Sequence, residues 1–336
     1  MLVAQVVQTY AGIVTSFDTF VKTVEIWSVM KWNKIVYLVS FIILFAIIAL
    51  SIQYITTPKA ATVLPREIEY GVADSEKTFE NKNNVAIEHS FIAWKRDDTL
   101  DLNTEIDKIL VHKREPLITI EPWSFTQKGD TLFKDIVSGD YKSTIESMCK
   151  VADEKNVPMI FRWGHEMDYA GSSRYPWASK DTQGFIEAYQ YWVGTCRNVL
   201  KNKKINFMWS PGGNEGLDKY YPDPQYVDSI GLSLYGYAEY EKKTLGYTQS
   251  FFDIFNQKYN RVKKFNKPIY LAELGVAGTD EYKEQWIKGM YKTIEDKQKY
   301  SLLYGLIYFQ FGDAAPWVPG ISAPDFRLKA SLFPPQ

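Results

Sequence analysis

From about Glu67 onward, apolar runs of strand length alternate with amphipathic stretches of helical period, and few folds accommodate that order. The strand-like runs are Ile68–Val72, Val85–Trp94, Leu117–Glu121, Met159–Trp163, Ile205–Ser210, Tyr226–Tyr235, Ile269–Glu273 and Leu303–Phe311. Helices are predicted over Asn103–His112, Tyr141–Lys155, Gln183–Lys201, Ser250–Lys264 and Glu281–Asp296. Eight strands with intervening helices over about 270 residues predict an α/β chain folded as a (β/α)8, or TIM, barrel. A doubly wound open sheet is the alternative. It normally carries a glycine-rich phosphate turn after the first strand, and Gly71-Val-Ala-Asp-Ser-Glu76 is no such turn.

What precedes the barrel has a different character. Ile35–Ile52 is unbroken, charge-free and strongly apolar, and it meets the ~18-residue length at which a spanning helix is the default reading. Lys31 and Lys34 flank its start, with Trp32 and Tyr37 as interfacial anchors, so the expected topology leaves the N-terminus inside and the larger part outside. A cleaved signal peptide fits less well, because the run is long and some thirty residues precede it. Within those residues Val3, Val7, Tyr10, Val14, Phe17, Val21 and Val24 form a helical stripe, and the opposite face is nearly free of basic groups. That favours a helix that docks on a partner over one that lies on anionic lipid. The expected organisation is an amphipathic helix over 1–33, a transmembrane helix over 34–54, a linker over 55–66 and the barrel over 67–336.

The chain carries 39 basic and 40 acidic residues, which leaves no electrostatic case for nucleic acid. Cys149 and Cys196 fall in separate helix-like stretches with no CxxC motif. Two free, buried thiols are the expectation, although their helices would be neighbours and could be bridged outside the cytoplasm. Aromatics make up 15% of the chain, an abundance that suits stacking on sugar faces as well as core packing.

Two glutamates stand at the ends of apolar runs that each begin beside a proline, Pro158 and Pro268. Glu166 ends the fourth strand region and Glu273 the seventh, so both would project from the C-terminal face of the barrel, where the active sites of such barrels lie. Two carboxylates on different strands, among many Trp and Tyr side chains, are what glycoside hydrolysis requires. The plainer reading of Glu166 is a salt bridge with Arg162. A zinc site fails because Tyr169 stands where a second histidine would have to follow His165, and no metal or cofactor is called for.

With the strands placed, Arg162-Trp-Gly-His-Glu-Met-Asp168 resembles the strand-four motif of glycoside hydrolase family 26, and Leu271-Ala-Glu-Leu-Gly275 resembles its strand-seven motif. Leu117–Trp123, Trp209–Gly213 and Tyr221–Tyr235 are similar to its strands three, five and six. The likeness covers roughly Glu67 to Phe311. The resemblance implies a retaining mechanism with Glu166 as acid/base and Glu273 as nucleophile. It also implies His165 as a subsite histidine and Tyr235 as the nucleophile's hydrogen-bond donor. Arg162 and His89 are further candidates to contact substrate. Trp123, Trp163, Trp177 and Trp209 lie at or just beyond strand ends and are candidate stacking platforms, with Trp94 and Trp317 weaker, though packing explains each as well. Asp168 departs from the family's usual Asn, and Phe309-Gln-Phe-Gly312 lacks a tryptophan that relatives place near the cleft.

The expectation is a membrane-anchored, extracytoplasmic endo-β-glycanase acting on a β-glucan or β-mannan. Residues 1–54 would hold it to the cytoplasmic membrane and to a membrane glycan synthase. A non-catalytic glycan-binding scaffold subunit and a transglycosylase are the alternatives.

Overall fold

The computed structural model describes residues 67–94, 99–123, 131–169, 174–178, 181–202 and 204–335. The predicted segments 1–33, 34–54 and 55–66 lie outside the described residues. Among those described, no helix is long and apolar enough to cross a membrane.

Eight parallel strands close into a barrel in chain order. They are β1 (Glu69–Ala73), β2 (Ile87–Ala93), β3 (Glu115–Glu121), β4 (Met159–Trp163), β5 (Ile205–Trp209), β6 (Ser229–Tyr237), β7 (Ile269–Ala277) and β8 (Leu303–Phe309). The outer layer holds α1 (Thr99–Val111), α2 (Leu132–Ser138), α3 (Lys142–Lys155), α4 (Thr182–Val199), α5 (Ala238–Leu245), α6 (Phe251–Val262) and α7 (Asp280–Ile294). The α/β alternation thus yields the predicted barrel. Two short helices, α2 and α5, were not predicted; at seven and eight residues they are too brief to show a periodic apolar face.

Strand alternation divides the core in two. Met159, Phe161 and Trp163 of β4 face outward into the large cluster under the helices, while Ile160 faces inward with Leu117, Met208, Ile87 and Ile307. Gly71 keeps the barrel axis open to these side chains, because a Cβ there would lie 2.8 Å from Ile87 and 2.9 Å from Ile307. Above that apolar layer the inward positions turn polar: Thr119, Arg162, Ser210, Ser233 and Glu273 are all buried.

The alternation breaks in β7, and the pairing of β7 with β8 shifts register as well. Leu232 pairs with Leu271 and Ser233 with Glu273, so Ala272 is an extra residue in the register. Leu271 and Leu274 consequently both pack outward, three positions apart, with Ala272 on the inner side. Glu273 therefore also turns inward, where strict period-two alternation from Leu271 would have sent it into the helix layer.

Cys149 of α3 and Cys196 of α4 are joined in a disulfide, with Cα atoms 5.4 Å apart. This corrects the expectation of two free thiols. The two helices flank β4 and pack side by side, so burial and bridging coincide. A link across 47 residues is worth about 4 kcal/mol on the chain-entropy estimate. The proline-bearing tail after Ala323 is ordered against the barrel. Phe333 is buried with its ring 5.7 Å from Tyr70 and 5.3 Å from Tyr308.

Candidate active site

Beyond β4 the chain makes a sharp turn in which Gly164 and Glu166 both take left-handed backbone conformations, with φ of 54° and 57°. Glycine adopts this freely, but a glutamate does so at a cost of about 1–2 kcal/mol and needs a surrounding frame to hold it. Backbone bonds join Gly164 N–H to Ile120 O at 3.2 Å and Glu166 N–H to Ser210 O at 2.8 Å. Trp177 Nε1 donates to His165 O at 2.7 Å. Asp168 receives Gly212 N–H at 2.6 Å on one carboxylate oxygen and Asn214 N–H at 2.7 Å on the other. An Asn at 168, as the resembling family has, could accept only one of those amides in that way.

The Gly212–Asn214 turn is held in addition from behind. Lys258 of α6 donates to Gly212 O and, at 2.6 Å, to Ser233 O, while Arg261 Nη1 donates to Gly213 O at 2.7 Å. Burial lowers the Lys258 ammonium to about 8, opposed by the nearby charges of Glu166 and Asp168.

Glu273 sits opposite in a cationic frame. Arg162 Nη1 lies 2.6 Å from Glu273 Oε1, and Tyr235 Oη donates to Glu273 Oε2 at 2.5 Å. The guanidinium is itself tied by Nε to Ser210 Oγ at 2.7 Å, by Nη1 to Thr119 Oγ1 at 3.1 Å and by Nη2 to Ser233 Oγ at 3.4 Å. One buried cation thus links β3, β4, β5, β6 and β7, and Tyr235 meets Glu273 as the resemblance implied. Arg162 pairs with Glu273, not with Glu166 as the plainer reading had it. It is fully buried, so it supports the site from beneath and does not meet substrate.

Glu166 is in the opposite situation. Burial, reinforced by the charge of Glu273, pushes its carboxyl up to about 7. His165 lies beside both carboxylates, with Nε2 3.1 Å from Tyr175 Oη and 4.0 Å from Glu273 Oε1. Burial and the Arg162 charge hold His165 and His89 well below the usual imidazole range, so both are neutral near pH 7. His89 is 4.2 Å from Phe91, centroid to centroid, and 2.7 Å from Thr119 Oγ1; it is a buried wall of the barrel interior.

A cleft of about 590 Å³ opens over these groups, lined by Glu166, Tyr169, Arg174, Tyr175, Tyr235 and the Asp313–Trp317 segment. The structure brings Glu166, Glu273, His165 and Tyr235 together. It does not bring three of the tryptophans to the cleft as open platforms. Trp163 and Trp209 point outward from β4 and β5 into the helix layer, against Trp192 and Tyr221 respectively. Trp177 is buried, stacked 4.7 Å from Tyr175, and props the His165 carbonyl. Trp123 remains 38% exposed, its indole N–H on Glu121 at 3.0 Å. Burial, along with Glu273, also raises Glu121, a third carboxyl near the site that sequence reasoning passed over. Tyr169, Arg174 and Tyr175 were missed as well, since loop residues follow no periodicity. Trp317, held to Asp313 at 2.7 Å, supplies an indole from the segment after β8, where the strand itself ends in Phe309.

Residues 103–301, more than half of the chain, match the model of a family described as Glycosyl hydrolase family 26. Endoglucanase H of Acetivibrio thermocellus is 24% identical over 244 residues, covering 69% of this chain and 25% of that protein. Beta-1,3-xylanase TXYA of a Vibrio species is 20% identical over 145 residues, covering 42% of this chain and 28% of that protein. The chain thus spans about a quarter of the length of these curated relatives. Among solved structures, GH26C from Muricauda sp. MAR_2010_75 superimposes with a TM-score of 0.55 at 17% identity, covering 76% of this chain and 84% of that one. At that identity the likeness speaks for the fold alone.

Proposed function

This chain belongs to glycosyl hydrolase family 26, and on that footing we propose that it is a retaining endo-β-glycanase in which Glu166 is the acid/base and Glu273 the nucleophile. The observation that carries the assignment is the opposite framing of two like side chains. Glu273 meets a guanidinium and a phenol, which hold it in place. Glu166, raised to about 7, keeps a proton to give to the glycosidic oxygen at neutral pH.

In the first step Glu273 attacks the anomeric carbon as Glu166 protonates the departing oxygen. Glu166, now ionised, then takes a proton from water, and the resulting attack releases the sugar from Glu273 with its configuration retained. The raised carboxyl serves both halves, since its proton affinity lies near the working pH.

The disulfide supports a place outside the reducing cytoplasm. It accords with the reading of residues 34–54 as an inner-membrane anchor that leaves the barrel on the far side. Tethering would keep the cleft beside a glycan synthase engaged through residues 1–54, where it would trim or release a β-linked polymer during export. A β-glucan is the first substrate to try, given the name of the Acetivibrio relative.

The test is a reducing-sugar assay of the full chain in detergent on mixed-linkage β-glucan, soluble cellulose, β-mannan and β-1,3-xylan, with Glu166→Ala and Glu273→Ala alongside. Activity on one polymer, lost by at least about a thousandfold in both variants, is expected. Proton NMR of early products should show the β anomer first. An α anomer, or full activity in either variant, would sink the assignment.

A further inference from the structure

Tyr169 is an aromatic residue whose position is fixed but whose surface is open. It is 39% exposed and lines the cleft immediately beyond Glu166, to whose carbonyl its N–H donates at 3.1 Å. The underside of its ring rests on Gly212, where any Cβ would collide with the ring atoms. Gly212 is itself immobilised at both ends of its peptide groups, by Asp168 on the N–H and Lys258 on the carbonyl. The side chain of Asn214 partners the Tyr169 hydroxyl. The ring is thus seated against Gly212 while its exposed face meets the cleft.

We propose that this face is the platform for the sugar on the leaving-group side of the scissile bond, and for the acceptor sugar when the glycosyl group passes to another chain. The proposal rests on the reading of Glu166 as the acid. The sugar under attack must lie over Glu273, within reach of Tyr235. The glycosidic oxygen must lie against Glu166, so the unit beyond that oxygen is carried onto the next residues of the Glu166 turn, and Tyr169 is the aromatic among them. A β-linked pyranose with equatorial substituents presents a flat C–H face, which a seated phenol ring can cover at little cost in conformational entropy. Trp123, exposed just beyond β3 beside Glu121, packs against Tyr175 and Trp177. It is the contrasting platform.

The experiment compares two substrates with one glycosyl part: the polymer that the wild type hydrolyses, and the glycosyl fluoride of its repeating disaccharide. Fluoride fills no sugar site on the leaving side and needs little help from an acid. Tyr169→Ala should lower the ratio of kcat/KM on polymer to kcat/KM on fluoride by about tenfold or more. Tyr169→Phe, which keeps the ring, should hold the ratio. Gly212→Ala, whose Cβ would displace the ring while Tyr169 itself is kept, should reproduce the Tyr169→Ala ratio. Transfer to added disaccharide acceptor should fall in parallel. Equal losses on both substrates would place Tyr169 on the glycosyl side or in a merely structural role, and an unchanged kcat/KM on both would remove it from binding; either overturns the proposal. A wild type inert on both substrates would overturn the glycanase reading beneath it.

Discussion

Glu166 leaves β4 on a left-handed turn, whereas Glu273 stays within β7 and is brought inward by one extra residue in the register. The carboxyl of the first is buried with the Ser233 hydroxyl as a hydrogen-bond partner, and that of the second meets a buried cation and a phenol. Glu166 is therefore raised to about 7 beside a carboxyl that a cation and a phenol hold in place. The charge on one reinforces the neutrality of the other, since Glu273 raises Glu166. The difference lies in what each neighbourhood supplies to a carboxyl group, and not in the carboxyl groups themselves.

Removing the cation should break this contrast most completely. Arg162→Met leaves Glu273 with a phenol alone and deprives three hydroxyl groups of their donor. A loss of about a thousandfold or more in kcat/KM is expected, with several kcal/mol of stability, since a charge stripped of its buried partner is costly. Steady-state kinetics and thermal unfolding measured together check both. A variant within tenfold of wild type would remove Arg162 from the catalytic frame.

Tyr235→Phe is a milder perturbation of the same side. A hydrogen bond to a charged group is worth about 1.5–3 kcal/mol, so a fall of roughly ten- to a hundredfold in kcat is expected. If KM rises instead while kcat holds, the phenol serves substrate and not the nucleophile.

The pH profile sharpens the Glu166 side. With Glu166 as the proposed acid, kcat/KM should fall tenfold per unit as the pH rises above about 7. The linked stability has a definite sign. A carboxyl raised in the folded state contributes stability that is complete below its unfolded pKa and lost as the pH rises through about 7. Glu166→Gln, which cannot ionise, should therefore unfold at a higher temperature than wild type at pH 8 and show no such gain at pH 4. This is the smallest of the expected effects, and an equal shift at both pH values would count against a raised carboxyl.

Strand order, barrel closure and the strand-end placement of both glutamates could be read from alternation in the sequence, because eight apolar runs of the right length permit little else. Which face each residue occupies was legible in part. Taking Arg162 inward already sends Trp163 outward by period two, and the same parity takes Trp209 away from the cleft when Ser210 faces in. Selecting tryptophans by nearness to strand ends ignored that parity. The β7 bulge has no counterpart signal, since Leu271-Ala-Glu-Leu274 reads as an ordinary apolar run and the extra residue appears only in the pairing with β6. Tyr169, Tyr175 and the Asp313–Trp317 segment lie in connections, where position depends on contacts distant in sequence. The disulfide depends on how α3 and α4 pack, and that is a property of the closed barrel.

The link between Cys149 and Cys196 spans β4, the Glu166 turn and Trp177 within one covalent ring. A protease that cuts anywhere inside that ring severs the backbone but releases no fragment, because both ends remain tied through sulfur. The segment that bears the acid can then reclose on the barrel at a high local concentration. A single nick between the two cysteines would therefore leave the Glu166 segment attached to the barrel.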